Sequence, residues 1–151
     1  MKQKFYTLLY NNDEFCKALG KVMLSASKLE TLLKKFLRLH GEDIPEKRAT
    51  LGNLITHLKK HNLLTNNGEL HFGQANIQRN YLIHNLYGSF TNEIEKTLLP
   101  IEDLVEMDIE LYVERANETA GNFEIYSEIV DRAILDLYNQ KTKSKEKHIL
   151  L

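Results

Sequence analysis

Between residues 15 and 36, apolar side chains recur every three or four positions: Phe15, Leu19, Val22, Ala26, Leu29, Leu33 and Phe36. That spacing forms one continuous stripe on an α-helix and scatters over both faces of a strand. The segment can bury its apolar groups together only as a long amphipathic helix. Asn12 or Asp13 stands before it as an N-cap. Gly41 stands after it as a C-terminal stop.

A helix with one apolar stripe needs partners, and the rest of the chain offers more helices. Thr50 can cap a second one, with Leu51, Leu54, Ile55 and Leu58 inward. Asn66-Asn67-Gly68 reads as a turn, and residues 69–72 as a brief extended stretch. A third helix is expected from about Gln74 to Tyr87, ended by Gly88. Thr91 or Asn92 opens a short helix that Pro100 interrupts. From Ile101 to about Asn139 the helical period returns, through Val105, Ile109, Tyr112, Val113, Ala116, Ile125, Ile129, Ala133 and Leu137. Gly121 is a candidate bend in it. Residues 1–11 show no decisive pattern, and no run alternates long enough for a sheet. The expectation is an all-α bundle of four to six helices, up-and-down and antiparallel, in one domain over residues 1–140. Residues 141–151 form a basic C-terminal tail.

The 151 residues carry a net charge of −1, so no global basic field draws the chain to nucleic acid. Any such contact has to be local. Cys16 is the only cysteine, which excludes an intrachain disulfide and suits a reducing compartment. The apolar run Phe5 to Tyr10 is too short to span a membrane. A cytoplasmic protein with no membrane partner is expected. Cys16 lies beside Phe15, with Asp13 and Glu14 near, and reads as a packed small hydrophobe rather than a thiolate nucleophile.

The third helix breaks its own pattern. On an ideal helix Ala75, Arg79, Leu82, Ile83 and Leu86 share one face, so a guanidinium sits inside a stripe that should pack inward. A buried arginine is costly unless it is paired or reaches an open cleft. Asn80, His84 and Tyr87 fall on the adjoining face. Arginine is a permanent cation with five donors, and histidine can exchange a proton near neutrality. Together they suffice for metal-free RNA cleavage: histidine moves protons at the 2′- and 5′-oxygens, and arginine stabilises the phosphorane. Asn80 and Tyr87 can orient the histidine or hold a ligand. One histidine cannot readily serve as both base and acid, but two copies facing each other could. The plain alternative is an arginine snorkelling to the bundle rim beside a structural histidine.

Arg79-Asn80-Tyr81-Leu82-Ile83-His84, in the third helix of a small helical domain, resembles the signature of the HEPN superfamily (higher eukaryotes and prokaryotes nucleotide-binding): arginine, four to six residues, then histidine, often with a polar residue directly after the arginine. Ala26-Ser27-Lys28-Leu29-Glu30 in the first long helix and Leu-Gly-Asn-Leu-Ile at 51–55 are in keeping with it. The resemblance spans roughly residues 13–140, and the six-residue motif is its specific part. It implies a helical bundle that dimerises, with two motifs meeting in a composite, metal-independent ribonuclease site. Many such proteins are toxins or phage-defence effectors, which implies RNA, a second copy and an antitoxin or regulatory protein as partners. By position Arg79 and His84 would be catalytic and Asn80 supporting, with Glu30 lining the cleft against Arg79. A subgroup carries a modifiable tyrosine two residues after the histidine; Leu86 stands there, and Tyr87 comes one later. Other members keep the fold without nuclease activity, so a non-catalytic protein- or nucleotide-binding module is the alternative.

His57 and His61 are one turn apart, a spacing that can ligate a metal. Leu58, Lys59 and Lys60 lie between them, with no glutamate base and two repelling cations. Neither a metal nor a cofactor is therefore expected. Lys59 and Lys60 are placed as phosphate or RNA contacts, against the plain alternative of a solvated face.

Overall fold

The computed structural model describes residues 2–90, 108–143 and 149–151. These residues are helical, with no strand among them. Among the described residues six α-helices follow in order: α1 (Lys2–Tyr10), α2 (Asp13–Leu39), α3 (Leu51–Lys60), α4 (Asn66–Asn80), α5 (Leu86–Phe90) and α6 (Ile109–Lys143). A 3₁₀ turn, Glu46–Arg48, precedes α3, and a π-helical turn, Tyr81–Asn85, joins α4 to α5. The all-α bundle read from the sequence is the fold. The short helix placed at Thr91 or Asn92 and the start at Ile101 lie outside the described residues.

The stripe of α2 is the centre of the core. Phe15, Val22, Ala26, Leu29, Leu33 and Phe36 are buried, with Leu19 packed at the edge. Asn12 is the cap; its side chain accepts the Phe15 N–H at 2.8 Å. The helix ends as a Schellman turn: Gly41 has φ +87°, its N–H donates to Arg38, and the Glu42 N–H donates to the Leu37 carbonyl at 2.9 Å. Residues 2–10, indecisive in sequence, are helical, and bury Phe5 and Leu9. Cys16 is exposed rather than packed; its thiol lies 3.3 Å from the Tyr10 carbonyl at the α1–α2 junction.

The longest helices run parallel, not antiparallel. Glu14 shares a groove with Glu110 and Glu118, Lys28 pairs with Glu124, and the Lys35 ammonium lies over the Tyr138 ring. Numbers on both helices ascend together. α4 descends between them: Glu69 faces Lys59, Arg79 faces Glu30, and Tyr87 in α5 meets Tyr6 in α1. The chain thus returns antiparallel to α2 through α4 and α5, and α6 rises again. Gly121 does not break α6, which continues through it to Lys143.

Two further segments depart from expectation. Asn66-Asn67-Gly68 is the first turn of α4, not a loop, and residues 69–72 are helical. Thr65 is the reason: its hydroxyl accepts the Gly68 N–H at 2.9 Å and caps the helix. Leu151 is buried against the same end; its N–H donates to Leu63, and its carbonyl accepts the Thr65 N–H. Leu151 is therefore docked against the start of α4. Among the described residues, no helix is long and apolar enough to cross a membrane.

Candidate functional site

α4 carries Arg79 down to the middle of α2. There one guanidinium nitrogen, Nη2, lies 3.3 Å from Glu30 Oε1. Both side chains are about one-fifth exposed, 18% for Arg79 and 22% for Glu30, so the pair sits at the rim of the core. Glu30 Oε1 also accepts the Leu51 N–H at 3.2 Å. That N–H opens α3 and has no partner within its own helix. One carboxylate therefore fixes the arginine and the start of α3 together.

The π turn then brings in the histidine. Five residues along an α-helix separate two side chains by about 140°. A π turn bonds residue i to i+5, which makes positions five apart axial neighbours. With Tyr81–Asn85 in that form, Arg79 Nη1 reaches His84 Nε2 at 3.3 Å. The same Nη1 lies 3.3 Å from Asn80 Oδ1. Arginine has only donors, so in a hydrogen bond between them His84 Nε2 is the acceptor. Asn80 uses its oxygen here and keeps its amide donors. Arg79 Nε is buried and has no hydrogen-bond partner. Arg79, Asn80, His84 and Glu30 are thus one connected cluster, with His84 exposed and the Nε donor of Arg79 unused.

Below the motif, the Tyr81 hydroxyl meets that of Tyr112 at 3.4 Å. Tyr112 is fully buried, and burial, then the Tyr81 hydrogen bond, pushes its phenol well above the ordinary range. This contact ties the π turn to α6.

The remaining sequence candidates lie elsewhere. Tyr87 packs edge-on against Tyr6, with ring centroids 4.8 Å apart. Lys59 is held by Glu69 at 2.8 Å, and Lys60 is exposed on α3. A different set of cations adjoins the cluster. A groove of about 470 Å³ is lined by Glu30, Lys34, Lys35, Arg38 and Tyr138, among others. Lys34 pairs with Glu46, Arg38 approaches Asp43 at 3.6 Å, and Lys35 lies over the Tyr138 ring. Positions 30, 34 and 38 fall on one face of α2, a signal the sequence holds at spacing i, i+4, i+8. His57 and His61 also gain a neighbour: Glu42, from the turn after α2, comes within 3.1 Å of His61 Nε2.

Comparison with models of known protein families, with characterised proteins and with solved structures gives no match.

Proposed function

We propose that the chain is a metal-independent endoribonuclease of HEPN type, acting as a homodimer in which two Arg79–His84 motifs form one site, in the role of a toxin or phage-defence effector. The observation that carries this reading is the Arg79 cluster: a guanidinium fixed by Glu30, touching His84 and Asn80, with a buried Nε donor left over. A phosphate oxygen is the stronger, charge-assisted acceptor for the Nη1 donor that now meets His84. The neighbouring groove adds Lys34, Lys35 and Arg38 for further phosphates.

The chemistry balances with protein groups alone. A scissile phosphate takes the Nη1 donor of Arg79 that His84 Nε2 otherwise accepts, which frees His84 Nε2. That nitrogen removes the 2′-hydroxyl proton as the 2′-oxygen attacks phosphorus. Arg79 stabilises the charge on the phosphorane. The partner's His84, protonated, gives its proton to the 5′-oxygen as the P–O5′ bond breaks. The products are a 2′,3′-cyclic phosphate and a 5′-hydroxyl. Asn80 orients the phosphate through its amide donors. The test is incubation of single-stranded RNA with purified protein in EDTA, with analysis of the product ends. Cyclic phosphate and 5′-hydroxyl ends support the reading; a 5′-phosphate end contradicts it.

A second reading is a non-catalytic binding module. It is favoured by the fact that Glu30, Asn80 and His84 already engage both terminal nitrogens of Arg79, as a structural anchor would. Arg79 and His84 substitutions that leave RNA intact but abolish partner or nucleotide binding would select it.

A further inference from the structure

Two helix ends of the same kind meet at the far end of α3. α2 closes with a Schellman turn in which Gly41 takes φ +87° and the Glu42 N–H bonds back to Leu37. α3 closes the same way: Asn62 takes φ +54°, its N–H bonds to Lys59, and the Leu63 N–H bonds back to Leu58 at 2.9 Å. Leu58 and Leu63 are both buried, as this motif favours. The first turn fixes the backbone of Glu42. The second fixes His61, the C-cap of α3, one helical turn beyond His57.

The side chains of Glu42, His57 and His61 converge there. Each offers one ligand atom, and these atoms lie within 4.8 Å of one another. Glu42 Oε1 and His61 Nε2 are 3.1 Å apart, yet Nε2 makes no aligned hydrogen bond. His57 Nδ1 is likewise buried without a partner. Close but misaligned, the carboxylate leaves the buried imidazole nitrogen without a hydrogen bond, a gap that a cation between them would fill. A tetrahedral cation with bonds of about 2.1 Å holds its ligand atoms about 3.4 Å apart, a spacing these side chains reach by small rotations. Of the two lysines that argue against a cation in sequence, Lys59 is drawn to Glu69 and away from the cluster. Lys60 is exposed.

We propose that Glu42, His57 and His61 bind one zinc ion that ties the turn after α2 to the C-terminal turn of α3. Two imidazoles and one carboxylate suit zinc over magnesium or calcium, which prefer all-oxygen shells. Water fills the fourth position. The site is separate from the Arg79 cluster: Leu51 at the start of α3 bonds Glu30, and His61 lies about 15 Å further along the helix. Zinc therefore fixes one end of α3 while Glu30 fixes the other.

The experiment uses the full, untagged chain, freed of metal with a chelator and desalted. Zinc is titrated by calorimetry, and cobalt by its visible absorption as a reporter of coordination. The expected result is one equivalent of zinc per chain, intense visible bands from four- or five-coordinate cobalt, and a rise in Tm of about 5–10 °C at a hundredfold excess over Kd. His57→Ala and His61→Ala lose the tight equivalent, Glu42→Gln weakens it at least tenfold, and Lys60→Ala leaves it unchanged. Circular dichroism without metal checks that each variant is folded. Zinc binding equal in the wild type and in a His57→Ala/His61→Ala double variant would overturn the proposal. So would cobalt spectra showing only six-coordinate aqueous ion. Both readouts are independent of RNA cleavage.

Discussion

Arg79 Nη1 lies 3.3 Å from His84 Nε2, although an ideal helix would point the two side chains about 140° apart. The π turn over Tyr81–Asn85 closes that gap. Irregular turns of this kind recur at functional sites because they re-aim side chains without ending the helix. Here the irregularity sits inside the motif itself, between the guanidinium and the imidazole. The Tyr81–Tyr112 contact anchors it to α6.

Glu30 is the hinge of this arrangement, since one of its oxygens serves Arg79 and the first N–H of α3. Glu30→Ala leaves both donors without an acceptor. The expected loss is about 1–2 kcal/mol, below that of a fully buried pair because both side chains are partly exposed. Glu30→Gln keeps an acceptor for Leu51 and loses the charge, so it should cost less. Urea denaturation of the three proteins checks the order.

Tyr112 gives the fold a pH dependence at the alkaline end. Its phenol is held well above its ordinary value of 10, first by burial and then by Tyr81. The folded state therefore keeps a proton that the unfolded chain releases. Stability from this group is fully present below about pH 10 and falls as pH rises beyond it, by up to about 1.4 kcal/mol per pH unit. Tyr112→Phe should flatten that fall while costing about 1 kcal/mol at neutral pH through the lost hydrogen bond. Thermal melts between pH 8 and 11 would show the crossing trends; parallel curves would contradict this.

The paired Schellman turns predict opposite effects for two substitutions. Gly41→Ala forces a Cβ into φ +87° and should destabilise by about 1–2 kcal/mol. Asn62→Gly relieves φ +54° and should be neutral or stabilising by up to about 0.5 kcal/mol. Chemical denaturation distinguishes them, and a Gly41→Ala variant as stable as the wild type would contradict the turn assignment.

The sequence made the helices legible and left their irregular joints obscure. The stripe from Phe15 to Phe36, the Asn12 and Thr50 caps and the stop at Gly41 are local signals with a fixed period or a fixed chemistry. The start of α4 was hidden because Asn66-Asn67-Gly68 has the composition of a turn. Thr65, with Glu69 in the first turn, was the contrary signal. The π turn has no comparable signature, since reading residues at 100° each presupposes the α period. Ideal geometry thus placed Arg79 and His84 on adjoining faces and missed their contact. Glu42 lies fifteen positions before His57, and only two helix ends folded against each other bring them together. The parallel course of α2 and α6 depends on how the intervening chain returns, which no local pattern encodes.

The proposed activity requires Arg79 and His84 to act together on RNA. The most direct test is cleavage of single-stranded RNA in EDTA by the wild type beside Arg79→Ala and His84→Ala, each checked for fold by circular dichroism. The expected result is cleavage by the wild type and a loss of at least about a hundredfold in each variant. Equal cleavage by all three would contradict it.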